Sequence, residues 1–151
     1  MAMSQKFRYY LRVRYGECDA QKVVFNARYG DYIDLASLEF LRAVLPRPAD
    51  LISGVFDYQL VKQTIEWKSP IRFDDVAEVS VWCKHIGRTS FTLAFEFRIA
   101  GQEAVTASAE TIYVLVDSTT LTKTPLPLDV SQALQAGGEG LVVDHASVKP
   151  L

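Results

Sequence analysis

The residues best suited to chemistry lie in the segment 15–29, where one carboxylate, Asp19, falls in a polar turn. A strand pattern ends just before this turn, and a long apolar helix pattern begins just after it. The first N–H groups of a helix have no intrahelical acceptor, and together with the helix dipole they attract developing negative charge. A carboxylate facing such groups could attack a carbonyl whose oxygen they hold, or could activate water to attack it. This is the chemistry of acyl transfer to water.

A structural interpretation of the same turn stays open. Aspartates in turns commonly accept hydrogen bonds from nearby N–H groups, and from the local sequence alone this role is favoured for Asp19. Cys18 is a tempting nucleophile, but no histidine lies near it and a small buried thiol is the better interpretation. The only histidines, His85 and His145, fall elsewhere, and no cluster has the spacing of metal ligands, so the sequence predicts no metal and no cofactor.

The elements that must position this turn follow from the hydrophobic pattern. Residues 7–15 alternate apolar and polar as a strand does, and residues 27–45 carry an apolar stripe wide enough for a helix that is covered on most of its circumference. Four further strand patterns follow, joined by short turns; they span residues 58–68, 76–86, 89–99 and 103–116. Long strands with short connections form an antiparallel meander, and a sheet that buries a single helix must curl around it. The predicted class is therefore α+β, with one domain over residues 1–130 and a tail over 131–151.

Composition narrows the classes of function. The chain has 151 residues, a net charge of -2 and a pI near 5.7, which gives no overall field to gather nucleic acid. It has no apolar run of about 20 residues and no signal-peptide pattern, so the sequence predicts a cytoplasmic protein without a membrane span. The curled sheet would keep an exposed edge, which predicts self-association as a homodimer or homotetramer.

The segment Cys18 to Tyr29 resembles the helix-start motif of the hotdog-fold thioesterases of the 4-hydroxybenzoyl-CoA thioesterase family. Further similarities are Trp67-Lys68-Ser69-Pro70, the pair Asp74-Asp75 before a strand, and Ile86-Gly87-Arg88-Thr89-Ser90-Phe91 at a strand turn. The resemblance covers residues 7–123. It implies a hotdog fold, in which about five long antiparallel strands curl around one central helix, and hydrolysis of acyl-CoA or acyl-carrier-protein thioesters.

The resemblance also implies roles for individual residues. Asp19 would be the nucleophile or general base, and the backbone N–H of Asn26 would polarise the thioester oxygen, a contribution of about 3 kcal/mol for one such donor. Asn26 could equally be a plain N-cap, and the two roles are compatible. The remaining implied residues contact the substrate: Phe25, Tyr29, Gly87, Arg88, Thr89 and Ser90.

Several of these roles have structural alternatives. The turn from Gly87 to Ser90 would run beside the pantetheine arm, and Arg88 could contact a phosphate or simply be a solvated turn arginine. Tyr29 could line the acyl pocket with Tyr32 and Asp34, although aromatic residues in such helix patterns more often belong to the core.

Two departures from the family pattern affect the mechanism. Lys22 stands where the family usually has Gly, which favours a turn that needs no positive φ. Asn26 stands where many members have His, which leaves no base at that position. These departures motivate an alternative function, a non-catalytic acyl-CoA or acyl-carrier binding protein on the same scaffold. A hotdog dehydratase or hydratase ranks last, because it would need a histidine in this motif.

Overall fold

The computed structural model describes residues 5–147 of the chain. It contains two α-helices, α1 (Tyr29–Val44) and α2 (Leu128–Ala136). Its six strands are β1 (Phe7–Arg12), β2 (Phe56–Trp67), β3 (Val76–Ile86), β4 (Ser90–Ile99), β5 (Ala107–Asp117) and β6 (Val142–Asp144). The strand predicted over residues 76–86 coincides with β3, and the other predicted strands are confirmed with shifted ends. The largest shifts are at β1, which ends three residues early, and at β5, which begins four residues late.

All six strands form one sheet in the order β2-β5-β4-β3-β1-β6. Neighbouring strands are antiparallel except β1 and β6, which run parallel over three residue pairs. The predicted antiparallel meander is therefore confirmed for β2 to β5, and β6 adds a short parallel edge that the sequence did not indicate.

Helix α1 crosses the inner face of this sheet and is the centre of the core. Its apolar positions recur with helical spacing, and Tyr32, Ile33, Ala36 and Phe40 are at most 1% exposed. Alternate residues of the strands cover them, as where the Phe40 ring meets Phe7 edge to face at 5.5 Å. The helix stops at Val44, two residues before Pro46, because a residue before proline disfavours helical geometry. The prediction of one central helix under a curled sheet is confirmed.

The last part of the chain is more structured than its sequence pattern indicates. Helix α2 buries Val130 and Leu134 in the core, and β6 pairs with β1. Two buried side chains in nine residues and a strand of three residues are too short to give a clear periodic signal. The domain boundary at residue 130 stays a prediction, and residues 1–4 and 148–151 of the predicted domain and tail lie outside the described residues.

Strand β2 forms one edge of the sheet and is largely exposed along its 12 residues. Three of its large apolar side chains, Leu60, Val61 and Trp67, are each about half exposed, and Val61 lies at a β-bulge. At the opposite edge, β6 is only three residues long. No helix within residues 5–147 is long and apolar enough to cross a membrane.

Candidate active site

Asp19 lies in a tight turn between β1 and α1. The turn is closed by a bridge between Cys18 and Val24 and by the N–H of Asp19, which donates to the carbonyl of Val23 at 2.9 Å. The carboxylate is exposed, and its Oδ1 accepts a hydrogen bond of 2.8 Å from the N–H of Gln21. The turn role considered for Asp19 is therefore present, and the exposure leaves the carboxylate accessible for chemistry as well.

The backbone of this turn corrects one expectation. Lys22 has a φ of 62°, in the left-handed region, so the prediction of a turn without positive φ is wrong. Lys22 is held there from both sides: its N–H donates to the carbonyl of Asp19, and its carbonyl accepts from the N–H of Phe73, each at 2.9 Å. A non-glycine residue in this region is uncommon, because its Cβ crowds the backbone.

The start of the helical segment leaves two backbone donors free. Asn26 begins a 3₁₀ turn, Asn26–Arg28, that leads directly into α1. The N–H groups of Phe25 and Arg28 are occupied by the carbonyls of Glu17 and Phe25, at 3.0 and 2.8 Å. No acceptor among residues 5–147 occupies the N–H of Asn26 or Ala27. These two exposed donors therefore have the properties of an oxyanion site.

Glu17 ties this loop together, a role that the sequence did not reveal. Its carboxylate accepts three hydrogen bonds from Arg14, one from the backbone at 2.8 Å and two from the guanidinium at 2.9 and 3.2 Å. The hydroxyl of Tyr32 in α1 donates to the same carboxylate at 2.8 Å. Burial raises the pKa of Glu17, but these hydrogen bonds outweigh it and hold the pKa below its ordinary value. A hydrogen bond between residues fifteen positions apart has no local signature in a sequence.

The remaining predicted residues of this segment differ in accessibility. Phe25 is 51% exposed, so its ring is available to a ligand. Tyr29 is 1% exposed and its ring packs against those of Trp67 and Phe97, so in a single chain it belongs to the core. Burial raises the pKa of Tyr29 to about 12, which keeps the phenol neutral. Its contact with substrate stays a prediction.

The second group of predicted residues forms the turn between β3 and β4. The N–H of Gly87 donates to the carbonyl of Ser90 at 2.7 Å, and a Cβ on Gly87 would lie only 2.8 Å from Ser90 Oγ. A larger residue at position 87 would therefore require the Ser90 side chain to move. The carbonyls of Arg88 and Thr89 accept hydrogen bonds from Leu126 and Leu115, so the turn is anchored through its backbone while the Arg88 side chain is exposed.

The two groups lie at opposite ends of the sheet in one chain. The Asp19 turn is tied to the beginning of β3, where Arg12 pairs with Val76, and the turn of Gly87 to Ser90 follows the end of β3. Strand β3 has 11 residues, and at about 3.3 Å per residue its ends are roughly 33 Å apart. One chain therefore brings Asp19, Phe25 and Asn26 together and keeps Arg88 away from them.

A cavity of about 370 Å³ lies between α1 and the edge of the sheet. Its walls include Asp34, Ser37 and Leu38 from α1, Tyr58 from β2 and Tyr113 from β5. This is the size range of small-ligand sites, and the lining mixes apolar surface with a few polar groups. A second cavity of about 370 Å³ lies on the outer face of the sheet, beside Trp82 and Lys84, and no predicted site residue lines it.

The cysteines and the metal-binding side chains add no further chemistry to the described region. Burial, followed by the negative charges of Glu17 and Asp19, raises the pKa of Cys18, which keeps the thiol protonated and poorly nucleophilic. Burial also raises the pKa of Cys83, to about 11. Within residues 5–147, no group of three or more His, Cys, Asp or Glu side chains is placed to hold a metal ion.

The comparison with known families and the comparison with single proteins identify the same kind of enzyme. The sequence model of the thioesterase-like superfamily matches residues 13–134. The chain is 30% identical over 125 residues to the acyl-CoA thioester hydrolase YbgC of Escherichia coli O6:H1, covering 82% of this chain and 92% of that protein. The family match contains the strands β2 to β5 and all of α1.

Solved structures with the same architecture include two CoA thioesterases. A 1,4-dihydroxy-2-naphthoyl-CoA thioesterase from Synechocystis superposes with a TM-score of 0.76 at 22% identity, covering 85% of this chain and 95% of that one. A gentisyl-coenzyme A thioesterase superposes with a TM-score of 0.73 at 27% identity, covering 84% and 98%. The hotdog fold expected from the helix-start motif is therefore confirmed.

Proposed function

Since this chain belongs to the thioesterase-like superfamily and is a thioester hydrolase, we propose that it cleaves acyl-CoA or acyl-carrier-protein thioesters, with Asp19 as the reacting carboxylate. The observation that carries the proposal is the loop itself. It holds an exposed carboxylate and two unoccupied N–H donors, at Asn26 and Ala27, within eight residues of each other in sequence. These are the two components that thioester hydrolysis requires, a nucleophile or base and an oxyanion site.

In the proposed mechanism the thioester oxygen rests on the N–H groups of Asn26 and Ala27. Asp19 then attacks the carbonyl carbon or removes a proton from a water that does so, and negative charge develops on the carbonyl oxygen. The N–H groups stabilise this charge at the start of a helical segment, where the backbone dipoles favour it. The carbon–sulfur bond breaks, and the thiolate of CoA or of the carrier protein leaves and takes a proton from protonated Asp19 or from water. Where Asp19 is the nucleophile, water then hydrolyses the acyl–aspartyl anhydride, and on either route the acyl group is released as a carboxylic acid.

We propose that the complete site forms between two copies of the chain, which would be a homodimer or a tetramer of such dimers. Strand β2 is the long exposed edge, with Leu60, Val61 and Trp67 half exposed. Its Trp67 end lies beside the start of α1, and its Phe56 end lies on the side of the β3–β4 turn. Antiparallel pairing of two β2 strands about a twofold axis would set the Asp19 loop of one copy toward the Arg88 turn of the other.

This arrangement gives each group of residues a role. The Asp19 loop supplies the chemistry, and the partner's turn carrying Arg88 would contact the pantetheine arm or a phosphate. The acyl group would occupy the cavity between α1 and β2, which lies close to the β2 edge where the two copies would pair. A cytoplasmic location stays a prediction from the sequence.

Thiol release tests the proposed chemistry. Short, long and aromatic acyl-CoAs are mixed with the wild-type protein and with Asp19→Asn, and free thiol is followed with a chromogenic reagent. Asparagine keeps the Oδ1 acceptor used by Gln21, so folding should be unchanged while turnover falls about 100-fold or more, the usual effect of losing a general base. The matched control is Asp31→Asn, which should retain activity. Asp31 is also an exposed aspartate, and it lies in the first turn of α1.

Two results would contradict this proposal. Full activity of Asp19→Asn would remove this carboxylate from the mechanism. Tight acyl-CoA binding by the wild-type protein, without thiol release from any substrate of the panel, would instead favour the non-catalytic binding protein.

Mixed subunits test the proposed dimer site. Asp19→Asn and Arg88→Glu chains are unfolded together, refolded at equal ratio and assayed. If the two groups meet across the interface, half of the dimers are mixed and one of their two sites is intact, so about a quarter of wild-type activity should return. If each chain forms its site alone, every site carries a substitution, and at a substrate concentration below KM the rate stays at the mean of the two refolded parent variants.

A further inference from the structure

We propose that Glu17 and Tyr32 are positioning residues, which fix the distance between the Asp19 carboxylate and the backbone donors of Asn26 and Ala27. This inference rests on the proposed function, since it assigns these residues to the geometry of that reaction. Neither residue touches the reacting atoms. Their role is to join the turn that holds Asp19 to the helical segment that begins at Asn26.

Glu17 is connected to each part of the loop separately. Its carboxylate binds the backbone and side chain of Arg14, where the loop leaves β1. Its carbonyl accepts the N–H of Phe25 at 3.0 Å, directly before Asn26. Its neighbour Cys18 bridges Val24, which closes the turn that holds Asp19. A single residue therefore links the strand end, the Asp19 turn and the oxyanion donors.

Tyr32 ties this link to the rigid part of the fold. Its ring is fully buried in the core, and its hydroxyl donates to Glu17 Oε1 at 2.8 Å. The Glu17 side chain itself is only 13% exposed, so the bond is shielded from water on both sides. Burial and the negative charge of Glu17 raise the pKa of Tyr32, so the phenol remains a donor at any physiological pH.

The rest of the loop is held mainly by its own backbone. The Asp19 carboxylate is exposed and bonded to Gln21 only within its own turn, and Asn26 and Arg28 are exposed. Arg28 pairs with Asp31 at 3.3 Å, but both side chains are half exposed or more, so this pair can position little. Val24 adds an apolar contact, since its side chain is buried in the core. The chain from Tyr32 through Glu17 is the hydrogen-bonded side-chain path from the buried face of α1 to this loop, and a shift of 1 Å in a reacting group can cost about 100-fold in rate.

The test is a pair of isosteric variants, Tyr32→Phe and Glu17→Gln, assayed against acyl-CoA with kcat and KM measured separately. The loss of the hydroxyl donor should reduce kcat about tenfold, with KM within about twofold, because substrate contacts are unchanged and only alignment is lost. Glu17→Gln should reduce kcat further, since the NH2 group of its amide is a donor and would face the guanidinium of Arg14, which is also a donor. The double variant should be little worse than Glu17→Gln alone, because both substitutions break one path.

Two matched controls separate positioning from stability. Tyr9→Phe removes the hydroxyl of another buried tyrosine, which is bonded to His145 at 2.9 Å and not to the Glu17 carboxylate. Glu39→Gln changes another largely buried glutamate that pairs with an arginine, Arg42. Both variants should lose some thermal stability and keep kcat per folded molecule.

The outcomes distinguish this proposal from the function on which it rests. Wild-type kcat in both Tyr32→Phe and Glu17→Gln, beside an inactive Asp19→Asn, would overturn the positioning role and leave the proposed function intact. A lower melting temperature with unchanged kcat per folded molecule would likewise reduce the pair to a structural role. Full activity of Asp19→Asn would instead remove the proposed function, whatever Tyr32 does.

Discussion

The loop that carries Asp19 and the turn that carries Arg88 are built in opposite ways. The loop is joined to the core by side chains, through Tyr32 and Glu17, and it contains a residue in the left-handed region. The turn is held by backbone hydrogen bonds, and its exposed Arg88 side chain has no ion-pair partner within residues 5–147. Reacting groups need fixed distances, whereas contact with a flexible, charged substrate arm does not. The contrast supports chemistry at the loop and binding at the turn.

After Asp19→Asn, the largest effect should come from preventing the two regions from meeting. Val61→Lys places a charge on the exposed edge strand β2, where it would oppose pairing of two edges. Sedimentation velocity should show monomers, and thiol release should fall at least tenfold while the fold is retained.

Val142→Lys provides the control, because this valine is similarly exposed on β6 at the other edge of the sheet. It should leave both assembly and activity as they are. A monomeric Val61→Lys with full activity would show that one chain needs no partner.

An intermediate effect is expected from Arg88→Ala. If the turn binds the substrate arm and takes no part in the chemistry, KM should rise about three- to thirty-fold while kcat stays within about twofold. Initial rates over a range of acyl-CoA concentrations separate the two parameters. Arg42→Ala on α1 is the control, since Arg42 is also exposed and pairs with Glu39 on the same helix. A fall in kcat with constant KM would move Arg88 into the chemical step.

The smallest effect concerns the backbone of the loop. Lys22→Gly removes the Cβ from a residue with positive φ and should stabilise the protein by about 0.5–1 kcal/mol. Lys22→Ala keeps the Cβ and should give no gain. Urea unfolding measures both, and equal stability of the two variants would show that the left-handed conformation costs the loop nothing.

The sequence predicted the elements better than the connections between them. Strands such as β3 and the helix α1 have long periodic patterns, because each must turn one side toward the same core. The location of Asp19 between them followed from those patterns. The conformation of Lys22 did not, because it is imposed by the hydrogen bond that Lys22 donates to Asp19 and the one it accepts from Phe73. The bond from Tyr32 to Glu17 was missed since it depends on how the loop folds back onto the helix.

The separation of the two candidate groups could not be seen in the sequence either. Asp19 and Arg88 look like parts of one site when only the family resemblance is considered. The register of β3 with β1 and β4 sets them at opposite ends of a strand. A distance of this kind depends on strand order and direction, which a single sequence constrains weakly.

The short parallel strand β6 has a practical consequence for handling the protein. Because β6 pairs with β1, and Gly140 donates to the carbonyl of Gln5 at 2.8 Å, the first and last described segments lie side by side. They occupy the side of the sheet farthest from β2, with the three strands β3, β4 and β5 in between. A surface tether attached within either of these described segments would start from this far margin, so immobilised enzyme should keep β2 unobstructed.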